Sequence, residues 1–173
     1  MKVHIGTIAL FAGKFTPRGW LPCNGASLPA DDYSVLTALG FDSNFSNNTI
    51  NLPQLEDLGK VKYFVCVEHG SFPPSFEDEN YIGFVTSLEA ERLTAVPDGW
   101  VLCDGLILNP NGANLDDEYK AYESIAQIVG IKYGKNKDWD SYPHQSNSIG
   151  LPNLNNPDGD TYIICIKGNV PTA

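Results

Sequence analysis

Cys66 and His69 stand three residues apart and supply the two residue types of a thiolate nucleophile with its general base. In an extended strand, positions three apart point to opposite faces, which argues for two satisfied, non-catalytic side chains. Two acidic pairs, Asp31-Asp32 and Asp116-Asp117, offer carboxylates for acid–base work. Each sits where a helix is expected to begin, so capping and the helix dipole account for them. The run Asn156-Pro157-Asp158-Gly159-Asp160 resembles part of a calcium loop but lacks the downstream bidentate Glu, and reads as a plain turn. Cys23, Cys66, Cys103 and Cys165 form no Cys-x-x-Cys pair, and His4, His69 and His144 show no ligand spacing, so no zinc site is expected. The cysteines read as small buried hydrophobes. In an oxidising compartment, Cys23–Cys66 and Cys103–Cys165 disulfides stay open as alternatives. No phosphate loop, nucleophile elbow or dinucleotide fingerprint occurs. These residues describe a non-enzyme with no cofactor and no metal.

The elements around them carry a different message. Pro17-Arg18-Gly19-Trp20-Leu21-Pro22-Cys23-Asn24-Gly25 recurs as Pro97-Asp98-Gly99-Trp100-Val101-Leu102-Cys103-Asp104-Gly105, offset by 80 residues, with five of nine positions identical. A Trp and a Cys at fixed spacing inside a Gly/Pro frame point to tandem duplication. In this frame Trp20 and Trp100 are core aromatics, and the four cysteines line strands.

The flanking elements recur in the same order. Gly6–Phe11 reads as a buried strand, matched by Tyr81–Thr86. Trp20–Cys23 is a short extended piece, which Pro22 confines to an edge or an irregular strand. A first helix is expected from Pro29 onward, with Asp31 or Asp32 as N-cap, Tyr33, Leu36 and Leu39 on its apolar face, and Gly40 as its stop. The second starts near Leu115 and presents Tyr122, Ile125, Ala126 and Val129 up to Gly130. Residues 41–51 are polar and read as a loop. Val61–Val67 and Tyr162–Ile166 are the clearest strands, rich in β-branched and aromatic residues. Leu52-Pro53-Gln54-Leu55 and the last strand recur at an offset of 99, so the second copy has gained residues in its loops. The expected fold class is α+β, a tandem duplication of a small unit whose short antiparallel strands pack on one helix. The expected units are residues 1–75 and 76–173, joined by a Pro-rich, acidic linker at 71–80.

A length of 173 residues and 42% hydrophobic content suit such a pair. No apolar run reaches membrane-spanning length, and no ordinary secretory signal opens the chain. The net charge of −10 is shared by both halves, which disfavours nucleic acid as a partner.

Gly6-Thr7-Ile8-Ala9-Leu10-Phe11-Ala12-Gly13, Pro17-Arg18-Gly19-Trp20, Cys23-Asn24-Gly25, Leu28, the Tyr33–Gly40 helix and Leu52-Pro53-Gln54-Leu55 together resemble the phage tail collar domain family. That family includes bacterial proteins labelled microcystin-dependent. The endings Tyr63–Pro73 and Tyr162–Pro171 resemble two copies of its terminal strand. The chain thus looks like two minimal collar units in tandem. Where family members carry a basic Arg-Gly-Arg-type turn, this chain has Glu56-Asp57-Leu58-Gly59-Lys60, and no His-x-His metal motif is present. The resemblance implies a structural or binding protein of a virion tail or extracellular particle, acting in assembly or host-surface attachment. Its implied partners are copies of itself or other tail subunits, and a cell-surface glycan or protein receptor. A self-assembling bacterial surface adhesin or filament subunit of the same domain is the alternative.

What differs between the copies is the inserted loops around Asn109 and Trp139; the latter, Ile131–Gly150, holds Tyr133, Trp139, Tyr142 and His144. Aromatics among polar side chains suit contact with a ligand or partner. The competing expectation is a loop folded over its own core with Trp139 as anchor.

Overall fold

The computed structural model describes residues 4–41, 43–44, 47–68, 81–88, 96–108, 117–130, 132–133, 149–154 and 160–173. In chain order the elements are β1 (Ile8–Phe11), β2 (Trp20–Pro22), β3 (Ser27–Pro29), α1 (Ser34–Ala38), β4 (Ser43–Asn44), β5 (Thr49–Asn51), β6 (Lys62–Cys66), β7 (Phe84–Leu88), β8 (Trp100–Leu102), β9 (Ile107–Leu108), α2 (Asp117–Val129), β10 (Ile149–Gly150) and β11 (Thr161–Cys165). One six-stranded antiparallel sheet runs in the order β2-β6-β1-β7-β11-β8. A three-stranded sheet, β3-β5-β4, and a two-stranded one, β10-β9, accompany it. The apolar, β-branched β6 and β11 lie inside the large sheet. Pro22, which has no N–H to donate, lies on an edge strand.

The strand order is a palindrome. Exchanging β2 with β8, β6 with β11 and β1 with β7 leaves it unchanged. The joint is the β1–β7 ladder, in which Leu10 faces Val85 and Phe11 faces Phe84. Ala12 N–H extends it by donating to the Gly83 carbonyl at 2.8 Å. Within the halves, Ile8 faces Val65 and Val85 faces Ile164, which makes Ile8 and Val85 corresponding positions.

The expected α+β class is overturned: the fold is mainly β, with eleven strands and two small helices among the described residues. Separate units would leave β1 and β7 as open edges. Pairing them merges the strands of both halves into one sheet, so the sheet and not a helix dominates each half. The polar 41–51 stretch, expected as a loop, contributes β4 and β5, because Ile50 is fully buried and ties the segment down. The first helix has only five residues and starts at Ser34. Its N-cap is Tyr33, with no side-chain capping bond. The Asp31 carboxylate instead accepts a hydrogen bond from Asn48 Nδ2 at 2.8 Å. Leu36 of that helix is buried, whereas Leu39 is 57% exposed.

Hydrogen bonds recur at corresponding positions. Cys23 N–H donates to Tyr63 O at 2.9 Å, and Cys103 N–H to Tyr162 O at 2.8 Å. Gly25 N–H reaches Pro53 O at 3.1 Å, and Gly105 N–H reaches Pro152 O at 3.1 Å. Leu52 N–H donates to Ala26 O and Leu151 N–H to Leu106 O, each at 2.9 Å. The side chains of Asn24 and Asp104 accept from the amides of Ala26 (3.1 Å) and Leu106 (3.0 Å). The same turn chemistry thus follows both Trp-containing strands.

Packing repeats as well. Cys23, Leu36, Ile50, Leu52 and Val65 form a small core in the first half. In the second, Cys103, Ala126, Ile149, Leu151 and Ile164 belong to the larger core, together with Phe11, Trp20, Phe64 and Cys66. Two glycines with positive φ, Gly6 (88°) and Gly83 (90°), precede β1 and β7. A Cβ on Gly6 would stand 2.8 Å from Leu39 Cδ1, and one on Gly83 would stand 2.7 Å from Ile128 Cγ2. Each helix therefore rests its last turn on a glycine at the mouth of the large sheet. The helix α2 also touches the first half directly, through Lys14 N–H donating to Ile128 O at 2.9 Å. The chain's end returns there too, as Arg18 N–H donates to Thr172 O at 3.0 Å.

Candidate functional site

The four cysteines are free and buried. Trp20 faces Cys66 and Pro22 faces Phe64, so Cys23 lies three residues along the ladder from Cys66. Three strand residues span about 10 Å, beyond the ~7 Å between Cα atoms that a disulfide tolerates. Trp100 faces Cys165 in the same way, which separates Cys103 from Cys165 equally. The two disulfides left open by the sequence do not fit this register. Burial pushes the Cys23 thiol up to about 11. Burial, helped by the Asp104 carboxylate, takes Cys103 to about 12. Burial takes Cys165 to about 11, opposed by the backbone of Lys167. These thiols stay protonated at neutral pH, the opposite of a nucleophile's requirement. Cys66 Sγ donates to the Glu68 carbonyl at 3.5 Å. His69 lies outside the described residues, as do Asp116, Asn156 to Gly159 of the calcium-loop-like run, Trp139, Tyr142 and His144. Among the described residues no group of His, Cys, Asp and Glu could hold a metal ion. Trp20 is buried and its ring lies 5.7 Å from that of Phe84 across the joint, while Trp100 is half-buried.

Polar side chains instead converge beside the β1–β7 joint. Leu58 and Val61 exchange backbone hydrogen bonds at 3.0 and 2.9 Å, closing a tight turn that projects Lys60. This is the segment where a basic turn would be expected of a collar domain. Just past α2, Lys132 Nζ donates to Gly13 O at 2.8 Å and to Ala12 O at 3.3 Å. Lys60 Nζ donates to the Lys132 carbonyl at 2.8 Å. The Tyr133 hydroxyl lies 2.9 Å from Ala12 O and 3.1 Å from Lys60 O, and its single proton serves one of them at a time. The Lys132 ammonium also stands 5.4 Å from the centre of the Tyr133 ring. Lys62 pairs with Phe11 on the adjoining strand, and Lys14 lies against Gly130 at the end of α2.

These contacts clasp the segment after α2 onto the first half. The clasp satisfies the carbonyls of Ala12 and Gly13, which the sheet leaves behind as β1 ends. Lys132 is held below the usual lysine range, first by burial and then by the nearby Lys62 and Lys60 charges, against an opposite pull from Asp57. Burial raises the Tyr133 hydroxyl, as do Cys103 and Asp57. Of the candidate contact residues, Tyr133 alone falls among the described residues, and it turns onto the core. Sequence reasoning passed over Lys60, Lys62 and Lys132. The available signal was a Lys-Val-Lys run beside a Gly turn, together with Lys132 next to Tyr133.

The first half thus presents a short strand, a Pro/Gly turn, an edge strand, a brief helix and a buried Leu-Pro segment. Residues 6–58 match the phage tail collar domain. The match is to a structural module of phage tails. It covers the first half up to the start of the Lys60 turn. No curated protein and no solved structure matches the chain. Among the described residues no helix is long and apolar enough to cross a membrane.

Proposed function

We propose that the chain is a tandem pair of collar-type units, residues 1–75 and 76–173, serving as a non-enzymatic assembly module of a phage tail or tail-like particle. The observation that carries this reading is the recurrence, around Trp100 and Cys103, of the hydrogen bonds made around Trp20 and Cys23 inside the collar match. The six-stranded sheet has an edge strand at each end, β2 and β8. At one edge Pro22 has no N–H to offer. At the other, the ladder alternation turns the Leu102 N–H outward, because Cys103 is the residue bonded to Tyr162. The β8 edge is thus the better route to a neighbouring subunit by strand addition. Host-surface attachment through the 131–150 insertion, with Tyr133, Trp139, Tyr142 and His144 toward a glycan or protein receptor, is the accessory role of the same module.

Sizing of the purified protein followed by negative-stain microscopy tests the assembly reading. Closed small oligomers are the expected result. Long fibres would favour a filament subunit of the same domain, and a monodisperse monomer would overturn self-assembly.

A further inference from the structure

The chain carries a net charge of −10, yet its described positive charge is gathered in one place. Four of the six Lys and Arg side chains that are described, Lys14, Lys60, Lys62 and Lys132, surround the end of α2 and the Lys60 turn. Among the described residues no carboxylate comes within 4.0 Å of any of them. Asp57 is the acidic neighbour felt by Lys132, against Lys62 and Lys60. Two of the ammoniums are held in place: Lys132 by the carbonyls of Ala12 and Gly13, and Lys60 by the carbonyl of Lys132. Lys14 and Lys62 are exposed. A cluster of like charges, partly immobilised and with no carboxylate within 4.0 Å among the described residues, is relieved when an anion joins it.

We propose that Lys14, Lys60, Lys62 and Lys132 form a binding site for a phosphate group, carried by a phosphorylated polysaccharide or free in solution. The set is all lysine. Ammoniums act as point charges around the spread charge of a tetrahedral anion, whereas a planar carboxylate is matched best by the guanidinium fork, which is absent from this cluster. A few side chains around one turn suit one or two anionic groups. A protein face would need an interface on the order of 1,000 Å² or more. Two copies, each at −10, also repel one another on approach. The site rests on charge and geometry alone, so it stands or falls separately from the assembly reading.

Calorimetric titration of the intact protein at low salt tests it, with inorganic pyrophosphate, phosphorylated dextran and unmodified dextran as probes. The two phosphate probes should bind and unmodified dextran should not. Tighter binding per phosphate to the polymer assigns the source to a polysaccharide, and equal binding assigns it to small phosphates. Lys62→Gln and Lys14→Gln remove charges that make no side-chain hydrogen bond to the described residues. Each should weaken Kd about threefold with an unchanged melting temperature, and 0.5 M NaCl should weaken binding further. No binding by either phosphate probe, or binding indifferent to both substitutions, would overturn the proposal. So would a salt-reversible dimer that forms without phosphate and is lost in Lys62→Gln, because the occupant would then be the acidic surface of a second copy.

Discussion

Gly6 and Gly83 give a matched pair of substitutions. Their φ angles are 88° and 90°, and each precedes the first strand of its half. An alanine at either position takes on the same left-handed backbone cost, about 1–2 kcal/mol. Their surroundings differ. The Cβ at Gly6 meets Leu39 Cδ1, the far end of a 57% exposed side chain that can swing away. The Cβ at Gly83 meets Ile128 Cγ2 at 2.7 Å and Phe11 Cε2 at 2.9 Å, and those two residues are 1% and 0% exposed. Overpacking a close-packed core adds about 1–3 kcal/mol. Gly6→Ala should therefore cost about 1–2 kcal/mol and Gly83→Ala about 2–5 kcal/mol. In a chain of this size each kcal/mol lowers Tm by about 2–4 °C. Urea unfolding followed by tryptophan fluorescence measures both. Ile128→Ala removes the clashing methyl, so the double variant Gly83→Ala/Ile128→Ala should be more stable than the sum of the single effects predicts. Equal costs at Gly6 and Gly83, or strict additivity in the double variant, would refute the claim that α2 rests on the sheet mouth through Gly83.

Two further outcomes follow from the clasp and the thiols. Tyr133→Phe should lower stability by about 1 kcal/mol, seen as a lower urea midpoint with an unchanged m value. Unfolded thiols ionise near 9.0, whereas folded Cys23, Cys103 and Cys165 hold their protons to about 11, 12 and 11. The folded state therefore binds more protons above pH 9, and their contribution, complete below it, is lost as pH rises through 9 toward 11–12. Thermal melts across pH 7–11 should show this fall, and replacing Cys103 by Ala should make it shallower.

The parts of the fold written in local pattern were open to reading. The β-branched runs at 62–66 and 161–165, the Pro-x-Gly-Trp-x-x-Cys-x-Gly repeat and the 3.6-residue spacing of Ile125, Ala126 and Val129 each mark their own element. The β1–β7 pairing had no such mark, because it joins residues some 75 positions apart and depends on which edge of each half is left unpaired. The segment 41–51 misled for a related reason. Its one apolar anchor, Ile50, sits among polar neighbours, and strands of two or three residues are set by pairing more than by propensity. In α1, acidic residues suited to capping stand just ahead of the helix, but Asn48 draws Asp31 away. At the candidate site the lysines were visible singly, while their convergence needed the long-range return of residues 132–133 to residues 12–13.

The β1–β7 ladder has one more consequence. Were the two halves separate chains, that joint would obey mass action and come apart on dilution. Carried on one chain, it is an intramolecular contact whose closure does not depend on protein concentration. The six-stranded sheet therefore persists at dilutions where a subunit contact would be lost, down to a particle that carries a single copy.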